Sequence, residues 1–185
     1  MRASFPALVA TGRLLAEMKE PLVAQWIQWL GDRLTASPSV PSRTIERQLR
    51  LLLDVLAEMV GPLRREVKFV WFAACEHYGR VAATRGLAAG EVVEELQYLR
   101  ELLIRRLAPV LAQERGRHAL AVMLRLNRIL DKGIATAVVG YTDALVATLF
   151  AENGVPASAT LHDHSELDRQ LDALEADLVR ALPHR

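Results

Sequence analysis

The sequence has one cysteine, almost no net charge, no apolar run long enough to span a bilayer and no complete catalytic motif. The lone Cys75 excludes an intramolecular disulfide framework and suits a reducing compartment. Within VWFAAC it reads as a small buried hydrophobe rather than a reactive thiol. A formal net charge of +1 and a pI near 8.0 leave no global field to attract a polyanion. Lys and Arg are scattered among Asp and Glu, so no phosphate-tracking surface forms and nucleic acid is not an expected partner. The N-terminal apolar stretch is broken by Pro6, Gly12 and Arg13 and makes a poor secretory signal. Gly133 to Phe150 is the most apolar stretch, but it carries Asp143 and threonines and falls short of the roughly 20 apolar residues of a spanning helix. A soluble cytoplasmic protein without a membrane partner is expected. Strand-like alternation of useful length is absent too.

What remains is helical periodicity. Half of the 185 residues are apolar, enough for a real core without staples. Leu14, Leu15, Met18, Leu22, Trp26, Leu30 and Leu34 recur at three- and four-residue steps over 11–35, with Pro21 imposing a kink or a division into two. After a Pro- and Ser-rich loop at 35–42, Ser42 or Thr44 can cap a second helix, whose apolar face is Leu49, Leu52, Leu53, Leu56 and Val60. Gly61-Pro62 ends it. A third helix is expected over about 63–84, a fourth over about 89–108 and a long fifth over about 117–150. In the fifth, Gly133 and Gly140 each cost up to about 1 kcal/mol against Ala. Close approach of another backbone, in a helix–helix or dimer contact with Ile134 and Tyr141 alongside, explains them better than helix preference does, and a glycine kink in the helix is an equal alternative. A polar linker then leads to a last helix from about 165, capped by Ser165 with Asp168, where Leu167, Leu171, Leu174 and Leu178 follow heptad spacing. That seam serves coiled-coil pairing or packing back on the bundle equally well. The expected fold is an all-α bundle of five to six helices, with 1–155 as the body and 156–185 as linker and terminal helix.

Ionisable side chains gather in EHYGRVAATRGLAAGEVVEELQYLR, from Glu76 to Arg100: His77, Arg80, Arg85, Glu94, Glu95 and Arg100. A second stretch, LNRILDKGIATAVVGY, answers it with Asn127 and Asp131, one turn apart on one face. His77 admits three chemistries. As a phosphoryl acceptor it would use Arg80 as a forked donor. As a haem ligand, it or His118 would sit among Phe69, Trp71, Phe72 and Tyr78. As a structural group, His77 and Arg80 would hydrogen-bond Glu94, Glu95 or Asp131, with Arg100 also reaching Asp131. The last reading is preferred, because buried charges cost several kcal/mol unless paired. Neither a cofactor nor a metal is expected: His162-Asp163-His164 reads as a solvated linker, and Glu94-Glu95 lacks a convergent nucleophile for acid–base work.

The spaced residues His77, Arg80, Gly86, Glu94/Glu95 and Leu99-Arg100, followed by Leu126-Asn127, Leu130-Asp131, Ile134, Val138 and Tyr141, resemble the N-terminal sensory domain of the RsbT co-antagonist (RsbR/RsbRD-type) family. The match covers roughly 10–150, with Trp26 and Asp32 fitting loosely. The resemblance implies a non-haem globin-like or related helical bundle, commonly a homodimer. It implies a regulatory rather than enzymatic role, upstream of an output protein such as a STAS domain, a kinase or a phosphatase. No STAS or kinase sequence follows within these residues, and the heptad-like helix at 165–182 stands where such a domain would hand its signal onward.

Overall fold

The computed structural model describes residues 5–33, 40–114, 116–152 and 164–182. Seven helices and no strand occur among them: α1 Phe5–Glu17, α2 Lys19–Arg33, α3 Ser42–Val60, α4 Arg64–Thr84, α5 Ala89–Leu111, α6 Gly116–Glu152 and α7 His164–Ala181. The count exceeds the expected five to six because Pro21 divides the first pattern. Without an N–H, Pro21 leaves the carbonyl of Glu17 unbonded and crowds it. α1 therefore stops at Glu17 and α2 restarts at Lys19.

α3 is the central helix. Leu49, Leu52, Leu53, Leu56 and Val60 are buried as the periodicity predicts, and Leu51, Val55, Ala57 and Met59 are buried as well. Its second half is thus enclosed on nearly all sides. Neither Ser42 nor Thr44 caps it: Pro41 takes the N-cap position without a side-chain bond. The Thr44 hydroxyl instead donates to Asp168 of α7 at 2.9 Å. α1 comes close to α3 at Gly12, where a Cβ would lie 2.8 Å from the Ala57 carbonyl oxygen.

α4 and α6 form the tightest pair. A Cβ on Gly79 would lie 1.9 Å from the Ala137 oxygen, and one on Gly140 would lie 2.1 Å from the Glu76 oxygen. Gly133 lies under the ring of Trp71, where a Cβ would meet Cζ2 at 2.6 Å. Gly140 thus allows backbone approach to α4, and Gly133 makes room for the Trp71 ring, both within the chain. Ile134 is half-buried and Tyr141 buried in the same region.

α6 is continuous for 37 residues, roughly 55 Å at 1.5 Å per residue. Its 133–150 portion buries only Gly133, Ala137, Gly140, Tyr141 and Ala144. On the opposite face Val139, Val146 and Phe150 are exposed, with Leu149 beside them. Contrary to the expectation from 133–150 alone, α6 taken over Gly116–Phe150 is by length and composition apolar enough to cross a membrane. α7 packs back on the bundle against α3 and α4, its Leu167, Leu171, Leu174 and Leu178 all buried. The heptad spacing here serves intramolecular packing.

Candidate functional site

The polar residues do not form one knot. They separate into a buried joint, a clasp on α7 and a surface pair.

The buried joint sits at the α4–α5 turn. α4 ends where Gly86 takes a φ of +78°, a left-handed value that costs an L side chain. The turn brings Arg85 back over α5. Arg85 Nη1 and Nη2 donate to Glu95 Oε2 and Oε1 at 3.0 and 2.7 Å. The Tyr78 hydroxyl donates to the same Oε2. Arg85 and Glu95 are 3% and 4% exposed. Burial opposes the Arg85 charge, but the hydrogen bonds and field of Glu95 outweigh it and raise its pKa. Burial, reinforced by the Glu95 charge, lifts the Tyr78 phenol well above its ordinary value. The Tyr141 hydroxyl donates to the Leu87 carbonyl at 2.7 Å and fixes the same turn to α6.

The clasp is built on His77, which is 2% exposed. Its Nε2 lies 3.0 Å from the Leu167 carbonyl of α7, and its Nδ1 lies 2.8 Å from Gln48 Nε2 of α3. A carbonyl only accepts, so Nε2 carries the proton and Nδ1 accepts from Gln48. Burial holds the imidazole pKa below its ordinary value, helped by the Arg80 charge and opposed by the Leu167 carbonyl and by Asp168. His77 is therefore not part of an ion pair with Glu94, Glu95 or Asp131. Arg80 bonds Glu76 one turn earlier and reaches Gln170 of α7 at 3.5 Å. At the solvent-facing edge of the clasp, Arg47 bonds Asp172 and Glu175 at 2.6 and 2.7 Å.

The surface pair is Arg100 with Asp131, joining α5 to α6. Asn127 is half-buried and takes no part in it, and Glu94 is exposed. Periodicity distinguishes the two glutamates. Glu95 stands three residues after buried Val92 and four before buried Leu99, so it lies in the core stripe and Glu94 does not. His77 relates to Ala74 and Val81 in the same way. Gln48 and Gly79 are the residues that sequence reasoning missed. Gln48 carried a signal, a lone amide four residues after Thr44 on an otherwise apolar face.

Neither nitrogen of His77 faces solvent, so a phosphoryl group or an iron would have to displace Gln48 or α7. His118 lines a cavity of about 290 Å³ between α1, α5 and α6 with Leu14, Leu111 and Val122, below the range usual for drug-sized ligands. His162 and Asp163 lie outside the described residues, as does the side chain of His164. No cluster of three or more metal-ligating side chains occurs among the described residues.

Comparison with protein-family models, curated proteins and solved structures finds no match.

Proposed function

We propose that this chain is a non-enzymatic, cytoplasmic input module, similar in role to the RsbT co-antagonist sensory domains. In this reading it pairs with a second copy along the exposed face of α6 and passes a conformational bias through α7 to a STAS, kinase or phosphatase partner. The observation that carries the reading is the fastening of α7. A terminal amphipathic helix is held by four leucines, by one buried imidazole and by ion pairs at the surface. That is an attachment suited to release and re-docking. The polar side chains of this clasp and of the Tyr78–Arg85–Glu95 joint are bonded within the protein, and the cavity lined by His118 does not reach them. A second copy suits the α6 face better than lipid does, because exposed Asp143 sits among Val139, Val146 and Phe150, and a carboxylate facing hydrocarbon is costly.

The test joins both halves of the reading. Sedimentation equilibrium should give a dimer for the unaltered chain and a monomer for Phe150→Glu. Amide exchange in α7 should then differ between the two. A chain that is monomeric at every accessible concentration removes the pairing. A monomeric variant with unchanged α7 exchange removes the relay.

A further inference from the structure

A second opening lies where α2 and α5 diverge. Trp29 of α2 and Tyr98 of α5 stack with ring centroids 4.3 Å apart and planes 8° from parallel. Beside the stack is a cleft of about 450 Å³, within the range usual for small-molecule sites. Its α2 wall carries Gln25, Gln28 and Asp32, and its α5 wall carries Arg105 and Arg106.

The charges in this cleft are arranged unevenly. Arg105 is engaged by Glu101 one turn earlier. Arg106 and Asp32 stand on opposite walls, and among the described residues neither meets the other or any other charge. A purely anionic occupant would confront Asp32, and a purely cationic one would confront Arg106. An occupant that carries both charges satisfies both walls.

We propose that the α2–α5 cleft binds a small zwitterion, an ammonium and a carboxylate in one molecule. The carboxylate lies on the forked donors of Arg106. The ammonium lies against Asp32 and the aromatic stack, where ring electrons favour a cation. The Gln25 and Gln28 amides offer donors and acceptors for whatever the frame adds. α-Amino acids and betaines share this chemistry: a primary ammonium needs Asp32 most, a quaternary one needs the rings most. Tyr98 lies between Glu95 and Arg100 on α5, so an occupant bears on a helix used by both the buried joint and the surface pair. Binding here stands independently of the regulatory reading, since it is measured directly on other helices.

Titration calorimetry of the full chain with individual α-amino acids and with glycine betaine tests this. At least one should bind saturably, and its carboxamide form, together with the N-acetyl form of an α-amino acid, should bind at least roughly tenfold more weakly, a loss of about 1.4 kcal/mol. Arg106→Gln should weaken binding similarly. Asp32→Asn should do so for a primary ammonium, and Trp29→Leu for betaine. Arg105→Gln should change affinity by less than that. Asp32, Arg105 and Arg106 are exposed and Trp29 is half-buried, and unchanged circular dichroism confirms that the variants fold. The proposal is overturned by no saturable binding from any probe, by equal binding of the singly charged forms, or by binding that survives Arg106→Gln.

Discussion

The joint at the α4–α5 turn and the clasp on α7 use the same side-chain types to opposite effect. In the joint, a guanidinium and a carboxylate are almost wholly out of water and share a phenol. In the clasp, the ion pairs lie outside, Arg47 being 36% exposed and its partners Asp172 and Glu175 66% and 42%. Charge desolvation separates the two. A buried pair that loses one member leaves an uncompensated ion inside the protein, whereas an exposed pair returns both members to water. The joint is therefore fixed once formed, and the clasp can open at modest cost.

The strongest challenge to this contrast is Glu95→Ala, which strands Arg85. It should lower unfolding free energy by about 3–5 kcal/mol, measured by urea titration. A loss under about 1 kcal/mol would place Arg85 in water and dissolve the contrast.

An intermediate effect should come from acid. Docked His77 has a depressed pKa, so the released state binds more protons as pH falls below the ordinary imidazole value of about 6.5. Acid therefore favours release of α7, and the preference vanishes above that value. The groups that act on the ring are Arg80 on its own helix α4, Gln48 on α3, and the Leu167 carbonyl and Asp168 on α7. Amide exchange in α7, corrected for intrinsic rates, should accelerate between about pH 7.5 and 5.5, and His77→Gln should flatten the response. A response equally steep in that variant would assign it elsewhere.

The smallest effect belongs to Arg47→Ala, at no more than about 1 kcal/mol and shrinking with added salt. A loss as large as that of Glu95→Ala would make the clasp a second fixed joint.

Periodicity made most of the fold legible. The core stripe of α3 lies where three- and four-residue spacing puts it, because burial of one face dominates helix placement. The division at Pro21 was readable as one of two outcomes. The seat of α7 was not readable, since a leucine seam looks the same whether its partner lies in another chain or in its own bundle. For the polar residues, spacing located the cluster but not the pairings. The choice of Glu95 by Arg85, and of Gln48 and Leu167 by His77, depends on how helices distant in sequence come together. The Thr44 hydroxyl was assigned to a local role because capping is common, and a tertiary partner 124 residues away took it instead.

The glycine seam between α4 and α6 also encloses the single thiol. Cys75 Sγ would be 3.0 Å from a Cβ on Gly133, and burial pushes its pKa up. A thiol reagent reaches that sulfur only when the two backbones part, so alkylation serves as a slow clock for whole-bundle opening.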